Sequence, residues 1–405
     1  MTDVMAGVRV LEVAEHTFVP AASALLADWG ADVVKVEHVE RGDAMRGLAS
    51  SGIAVMGGGV HVLLEHSNRG KRSIGLDLTS ADGLDVLKRI AAVSDVFLTN
   101  KLPGVRAKLG IDVDAIREAN PNIIYVRGTG QGERGPDADK GSYDVLAYWH
   151  RSGMSLGAKR DDFAHVPPPP APAFGDSIGA MTIAGGIMGA LFHRERTGEA
   201  PVVDVSLLGT GMWSMGAALA LSLNLGVPWG PPGKDAPLRN PLVATYETSE
   251  GAFLSFSCLQ APRYWTAACQ AFERPDLATD ERFADPEALM ANAPAAADEI
   301  RGVIASRPVA EWRERLATFP GQWTVVQSTL DAAEDPQTVA NGYVVDCETS
   351  TGAPFRLAGA PVQFDEVAPQ TRRAPEFNEH GDEILAEIGL DDETILDLKI
   401  RGVVA

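Results

Sequence analysis

The chain has 405 residues, 45% of them hydrophobic and 22% charged, a composition that excludes disorder of the whole and is typical of two packed domains. Its 35 Lys and Arg against 55 Asp and Glu give a formal charge of −20, which would repel nucleic acid and anionic membranes, so that any anion site must be local. Three cysteines without CxxC spacing, no basic leader and no uncharged apolar run of about 20 residues predict a cytoplasmic protein with free thiols.

Strands and helices alternate in the first third of the sequence. Alternation with short connections predicts an α/β fold with a doubly wound parallel sheet, whose ligands bind at the carboxyl ends of the strands. The predicted strands are residues 8–13, 32–37, 73–78, 95–99 and 123–127, and the predicted helices are residues 20–29, 80–92 with Thr79 as N-cap, and 113–119.

The turn after the first strand tests for a bound dinucleotide. A dinucleotide fold needs a glycine-rich turn there, and residues 14–19 contain no glycine, which argues against NAD or FAD. Gly128, Gly130 and Gly132 follow a later strand, but Gly135 precedes a proline where a helix should begin. These glycines therefore predict an active-site loop.

The middle of the chain contains a proline run and two apolar tracts. The run at 167–170 is the one low-complexity segment, and it leads into an apolar tract at 177–192 that is too short and glycine-rich for a membrane span. A strand is predicted at 202–205. A single long helix is predicted at 207–225, and its small apolar residues indicate that it is buried or forms a dimer.

A change of pattern after residue 241 predicts a second, smaller α+β domain. It contains a hairpin at 244–248 and 252–256 and helices at 263–271 and 295–306. The expected organisation is a large domain at 1–205, a helical linker at 206–240, the small domain at 241–325, a second linker at 326–345, and a return to the large domain at 346–405.

Basic side chains cluster near the predicted strand ends, which is notable in so acidic a chain. They are either scattered surface charge or a local cationic rim for a phosphorylated ligand. The residues concerned are His38, Arg41, Lys71, Arg72, Lys101, Arg106 and Lys108.

Asp176 is the main candidate for chemistry. At the start of a helical tract it is either an N-cap or a nucleophile that the helix N-terminus keeps ionised. Asp144 could share its site or simply begin another helix, with Tyr143 beside it. No histidine has metal-ligand spacing and no GxSxG motif is present, so we expect no metal.

Motifs along nearly the whole chain make it resemble the class III CoA-transferases, the family of formyl-CoA transferase and carnitine CoA-transferase, which is related to α-methylacyl-CoA racemase. These motifs are Leu11-Glu12-Val13, Val34-Lys35-Val36-Glu37 with Gly42-Asp43, Asn68 with Lys71-Arg72-Ser73-Ile74, Asn100 with Pro103-Gly104, Gly110, Tyr143-Asp144, Gly175-Asp176-Ser177, Gly359-Ala360-Pro361, Arg373-Ala374-Pro375 and Glu379-His380.

The resemblance implies a fold, a partner and a mechanism. The fold would be a Rossmann-like large domain plus a small domain in a ring, two of which interlock as an obligate homodimer. Asp176 would be the nucleophile that carries CoA from an acyl-CoA to a carboxylic acid, through an aspartyl anhydride and an aspartyl-CoA thioester. Coenzyme A would be a substrate, with no tightly bound cofactor. Its contacts would be Thr17, Phe18, His38, Leu76, Asp77, Asn100, Lys101 and Lys108.

Three departures bear on which activity to expect. His38 and Lys108 stand where formyl-CoA transferase has arginines, and no glycine-rich loop is visible between Pro232 and Leu254. Tyr143 replaces a histidine base of the racemases, which argues against racemisation. An acyl-CoA racemase or isomerase, and a catalytically silent CoA-binding protein, remain the alternatives.

Overall fold

The computed structural model describes residues 3–51, 60–233, 236–368 and 370–405. The chain divides into two compact units, Met1–Pro231 with Gln337–Ala405, and Pro232–Pro336. Residues 234 and 235 of the predicted helical linker lie outside the described residues.

The first unit is built on a six-stranded parallel sheet, which confirms the predicted α/β class and the parallel sheet. The strand order is β3-β2-β1-β4-β5-β6, so the direction of winding reverses between β1 and β4. A crevice outside the carboxyl ends of the strands at such a reversal is the usual ligand site of this architecture. The strands are β1 Arg9–Val13, β2 Asp32–His38, β3 Arg72–Leu76, β4 Val96–Thr99, β5 Ile124–Thr129 and β6 Val202–Ser206.

Helices cover both faces of this sheet. Successive strand residues such as Val10 and Leu11 point to opposite faces, and each enters a separate buried apolar cluster. The helices before the second unit are α1 Phe18–Asp28, α2 Val62–Asn68, α3 Ala81–Ala92, α4 Pro103–Leu109, α5 Val113–Ala119, α6 Met154–Gly157, α7 Phe174–Thr197, α8 Leu207–Ser214 and α9 Gly216–Leu225, with a 3₁₀ helix at Ala44–Ser51 and a π-helix at Val145–Arg151.

Helices α1 and α7 pack together on one face of the sheet and bring the start of α7 to the carboxyl end of β1. All residues of α1 are buried, and Gly179 of α7 leaves room for the ring of Phe18. Within the described residues, α7 is the one helix long and apolar enough to cross a membrane. That test is also passed by core helices, and α7 belongs to the core.

The second unit has its own apolar core and a three-stranded antiparallel sheet in the order β7-β8-β9. The predicted hairpin is present as β7 and β8. Its elements are β7 Val243–Glu247, β8 Phe253–Ser257, α10 Ala261–Ala271, a 3₁₀ helix at Pro275–Ala278, α11 Pro286–Ala291, α12 Ala293–Ile304, α13 Val309–Leu316, β9 Trp323–Val325 and α14 Thr329–Glu334.

The C-terminal segment returns to the first unit. The amide of Ala405 donates to the carbonyl of Gly75 at 3.2 Å, which places the chain end beside β3. The remaining elements are α15 Pro336–Asn341, β10 Val344–Glu348, β11 Pro354–Ala358, α16 Gly381–Glu387 and α17 Asp392–Ile400.

Two helix predictions are wrong in detail. The single helix expected at 207–225 is broken at Met215 into α8 and α9. Helix α3 is capped by Ser80, whose hydroxyl accepts the amide of Gly83, and not by Thr79. Thr79 instead donates to the carboxylate of Asp77.

Candidate active site

A cavity of about 390 Å³ lies where the direction of winding reverses. Its wall comes from the segments that follow β1, β4 and β5, from residues 141–143 and from the first turn of α7. The lining residues are Glu15, His16, Phe18, Asn100, Lys101, Leu102, Val105, Gly128, Thr129, Gly130, Gly141, Ser142, Tyr143, Asp176 and Leu207.

Asp176 is the third residue of α7, so the interpretation of this residue as an N-cap is wrong. The N-cap position belongs to Ala173, which has a φ of 54° and makes no side-chain cap bond. The preceding residue, Gly175, has no room for a side chain, since a Cβ there would lie 2.5 Å from Cγ of Tyr148. Glycine therefore allows the first turn of α7 to approach the π-helix closely, and Asp176, the next residue, lines the cavity.

Asp144 lies at the N-cap of the π-helix and links it to α7. Its Oδ1 accepts the amide of Val145 at 2.7 Å, and its Oδ2 accepts the amide of Gly175 at 3.2 Å. Asp144 thus takes one of the free amides at the start of α7, next to Asp176. The structure brings the two carboxylates together.

Burial and the charge of Asp144 raise the pKa of Asp176 to about 7. The expectation that the helix N-terminus keeps this carboxylate ionised is therefore wrong in direction. The amide of Gly175 already serves Asp144, and among the described lining residues the one Lys or Arg, Lys101, is paired with Glu15. Desolvation is not offset by a cation.

The loop after β1 supplies two lining residues, Glu15 and His16, that the sequence interpretation missed. Asn100 fixes the backbone of Glu15 in both directions, accepting its amide at 3.2 Å and donating to its carbonyl at 2.6 Å. His16 has a φ of 68°, and its ring meets the ring of Tyr143 edge-on at 5.6 Å. Polar residues directly after the first strand of a parallel sheet were the available signal.

Four buried charged residues hold this loop in place. We call Glu12, Lys35, Asp43 and Lys71 the buried charge cluster. Lys35 bonds Glu12 at 2.8 Å and Asp43 at 2.7 Å, and it also donates to the carbonyl of Ala14. Lys71 bonds the second oxygen of Glu12 at 2.8 Å. Asp43 then accepts the amide of His16 at 3.1 Å. The cluster thereby fixes both ends of the segment that carries Glu15.

Five of the predicted site residues line the cavity: Phe18, Asn100, Lys101, Tyr143 and Asp176. The others lie outside its wall. Thr17 is buried at the N-cap of α1, His38 and Leu76 pair at the carboxyl ends of β2 and β3, Asp77 follows β3 at the surface, and Lys108 is exposed in the last turn of α4.

The prediction of a cationic rim is wrong for three of the basic residues that it included. Lys71 belongs to the buried charge cluster, Arg72 bonds Asp32 and Glu387, and Arg106 bonds Glu133. These partners are far apart in sequence from the basic residues, so the local pattern did not reveal them.

The glycines after β5 approach their neighbours closely. A Cβ on Gly128 would lie 2.2 Å from Cγ2 of Val19, and one on Gly130 would lie 2.5 Å from Cβ of Ser142. Glycine therefore allows the backbone to form the cavity wall at these two positions.

Comparison with known proteins gives a consistent result. The sequence model of CoA-transferase family III matches residues 5–381. An (R)-2-hydroxy-4-methylpentanoate CoA-transferase of Clostridioides difficile is 26% identical over 404 residues, 98% of either chain. A succinate–glutarate CoA-transferase of Agrobacterium fabrum is 30% identical over 96% of this chain and 97% of its own. The crystal structure of a CAIB/BAIF family protein from Brucella suis matches with a TM-score of 0.79 at 27% identity, covering 95% of this chain and 99% of the other.

Proposed function

The chain belongs to CoA-transferase family III, and from that premise we propose that it moves CoA from an acyl-CoA thioester to a free carboxylic acid with Asp176 as the nucleophile. Family membership makes the protein a transferase that acts on acyl-CoA. The two relatives named above differ in their acids, so the family does not fix the acyl group.

The proposed reaction proceeds through two kinds of covalent intermediate on Asp176. The carboxylate attacks the donor thioester carbonyl, and CoA leaves as the thiolate from a mixed anhydride. The thiolate then attacks the aspartyl carbonyl of the anhydride, which releases the donor acid and leaves an aspartyl-CoA thioester. The acceptor carboxylate attacks that thioester, which releases the CoA thiolate again and leaves a second anhydride. Attack of the thiolate on the acceptor's acyl carbonyl gives the new acyl-CoA and restores Asp176.

The observation that carries the proposal is the environment of Asp176. Its carboxyl lies in a cavity next to Asp144, no Lys or Arg among the described residues bonds it, and its pKa is raised to about 7. A carboxylate of high pKa is a stronger nucleophile than an ordinary one, and near neutral pH a large share of it is still ionised. An aspartate held only as a structural cap would be paired and would have a lowered pKa.

The proposed CoA contacts follow the carboxyl edge of the sheet. Phe18, Asn100 and Lys101 line the cavity, and His38 and Leu76 lie opposite each other in the β2–β3 register. This order supports a CoA that extends from the cavity across the ends of β1, β2 and β3. Thr17, Asp77 and Lys108 complete the proposed set.

The exposed surface of α9 supports an obligate homodimer, which we propose to be the interlocked ring of the family. None of the residues of α9 is buried, although the helix is almost wholly apolar. Next to it, Trp213 is 85% exposed. A surface of this kind in a single chain is typical of one that a partner covers. We also propose that the protein is cytoplasmic, that CoA and a carboxylic acid are its ligands, and that it binds no nucleic acid, membrane or tightly held cofactor.

One observation also favours acyl-CoA racemisation as a second candidate. A carboxyl group with a pKa of about 7 is suited to act as a base that removes an α-proton. Racemisation in heavy water would place deuterium on the α-carbon of an acyl-CoA without any acceptor acid. Transfer needs the acceptor and leaves that carbon unlabelled.

Trapping of the covalent intermediate tests the nucleophile. The protein is incubated with a panel of acyl-CoAs, hydroxylamine or borohydride is added, and the peptide that contains Asp176 is analysed by mass spectrometry. We expect a hydroxamate or a reduced side chain at Asp176 in the wild type and none in Asp176→Asn. Full transfer activity in Asp176→Asn, or no adduct with any acyl-CoA that binds, would contradict the assignment.

A further inference from the structure

An ion pair inside the cavity joins the proposed CoA contact Lys101 to Glu15, a residue that has no role in the proposed transfer. The carboxylate of Glu15 bonds Nζ of Lys101, and their side chains are 19% and 22% exposed. Burial by itself would raise the pKa of Glu15, but Lys101 outweighs burial and the pKa is lowered. Glu15 therefore keeps its negative charge in a cavity that is proposed to receive the anionic ligand CoA.

The backbone under this pair is fixed. Asn100 holds the peptide groups of Glu15, and Asp43 of the buried charge cluster accepts the amide of His16. A rotation of the Glu15 side chain can therefore free Lys101 while the loop stays in place.

Glu15 has a second basic neighbour. Its Oε1 lies 3.7 Å from the guanidinium of Arg41, whose side chain is 64% exposed, while its Oε2 bonds Lys101. A rotation of the carboxylate toward Arg41 would release Lys101 and keep a positive partner for Glu15. Because both partners are within reach, the change exchanges one ion pair for another.

We propose that Glu15 is an exchangeable counter-ion, which neutralises Lys101 in the empty cavity and turns to Arg41 when a phosphate group of CoA binds Lys101. This inference rests on the proposed function and adds a residue that sets the affinity for CoA. It also explains why a carboxylate stands among the groups proposed to bind an anion: without Glu15, Lys101 would be an unpaired cation in the same cavity as Asp176 and would favour its ionised form.

Calorimetric titration with free CoA tests the exchange. In Glu15→Gln the backbone bonds to Asn100 remain and the competing charge is gone, so CoA should bind about threefold to fivefold more tightly. Glu118→Gln is the matched control: it removes the same charge from an exposed pair with Lys88 and should leave the affinity unchanged. Equal or weaker CoA binding by Glu15→Gln overturns the proposal.

Arg41 provides the more specific test. If Arg41 receives Glu15, Arg41→Met should weaken CoA binding in the wild type and have no effect in Glu15→Gln. Equal weakening in both backgrounds would show that Arg41 only binds the ligand, and it would overturn the exchange.

Ligand fragments identify the anionic group. Pantetheine lacks phosphate, so Glu15→Gln should not change its affinity, whereas dephospho-CoA should respond as CoA does if the diphosphate is the group bound. A response to CoA alone would assign the 3′-phosphate. An equal gain with pantetheine would contradict a phosphate contact. If wild-type protein binds no CoA at all, the proposed function fails as well; if it binds CoA and Glu15→Gln does not differ, only the counter-ion role fails.

Discussion

The buried charge cluster holds a loop of the cavity that Asp176 also lines, but the carboxyl groups in the two places have opposite electrostatic environments. In the cluster, Lys35 bonds both Glu12 and Asp43, and the pKa values of both carboxyl groups are lowered despite burial, because Lys35 outweighs it. At Asp176 burial is joined by the negative charge of Asp144, and the pKa rises to about 7. The ion-paired groups of the cluster hold the loop after β1 in place. The Asp176 carboxyl, which has no such partner among the described residues, is proposed to react.

Lys71 is the weak point of the cluster. Burial and the positive charge of Lys35 lower its pKa to about 7, even though it bonds Glu12 at 2.8 Å. The three sites therefore differ in degree: Lys35 pairs with two carboxylates, Lys71 pairs with one, and Asp176 has no paired cation among the residues that the structure describes.

The largest expected effect is a loss of folding stability when the buried charge cluster loses a cation. Lys35→Met leaves Glu12 and Asp43 buried without their shared cation, and should lower the free energy of unfolding by about 3 to 5 kcal/mol. Lys71→Met removes a partner of one carboxylate, Glu12, and of the uncharged acceptors Pro20 O and Asn68 Oδ1, and it should lower the free energy of unfolding by less. Urea denaturation measures both, with Lys88→Met as the exposed control at under about 0.5 kcal/mol. Equal effects at Lys35 and Lys88 would show that burial of the cluster contributes nothing.

The next effect is the pH dependence of transfer. A nucleophilic carboxyl with a pKa of about 7 must lose its proton, so kcat/KM for the acyl-CoA should fall about tenfold for each pH unit well below 7. Between pH 7 and 5 this amounts to about two orders of magnitude. Rates are measured in buffers of constant ionic strength, with circular dichroism to show that the protein stays folded. A profile that is flat down to pH 5 would mean that the free enzyme holds Asp176 ionised.

Local sequence patterns were sufficient to predict the parallel sheet and to identify the family. Strands that alternate with helices predicted five strands of the parallel sheet, and the separate strand predicted at 202–205 is its sixth. The Gly175-Asp176 motif with its companions identified the family that the comparison confirms. These features depend on neighbouring residues or on short motifs, which a single sequence displays.

The features of the fold and the site that were not predicted depend on contacts between residues that are far apart in the sequence. The close approach of Tyr148 to Gly175 joins residues far apart in the sequence, and so do the burial and the charge of Asp144 that raise the pKa of Asp176. The pairing of Arg106 with Glu133 has no local signature either. Helix propensity alone could not predict that Met215 breaks an apolar tract into α8 and α9.

A smaller effect is the pH dependence of folding stability that comes from Asp176. The pKa of Asp176 is raised in the folded state above the unfolded value of about 3.9, so the folded protein binds more protons between about pH 4 and 7. The contribution of Asp176 to stability therefore decreases as pH rises through that window. Asp176→Asn removes the ionisation and should be more stable than wild type by about 1 to 3 kcal/mol at pH 8, with the difference vanishing near pH 4. Thermal or urea unfolding at both pH values checks this; a less stable variant at pH 8 would contradict the raised pKa.

The smallest effect separates the two causes of that raised pKa. Asp144→Asn removes the neighbouring negative charge but keeps the size of the side chain and one acceptor oxygen, while burial of Asp176 remains. The fall of kcat/KM at acid pH should therefore begin at a lower pH than in the wild type, but still above the pH at which an exposed aspartate would titrate. Asp112→Asn is the control, because Asp112 also caps a helix but has no part in the pKa of Asp176. The pH at which the fall begins is independent of how much protein is folded, so a loss of stability in Asp144→Asn does not obscure it. If that pH does not change, burial alone sets the pKa, and Asp144 serves only to hold Gly175 at the start of α7.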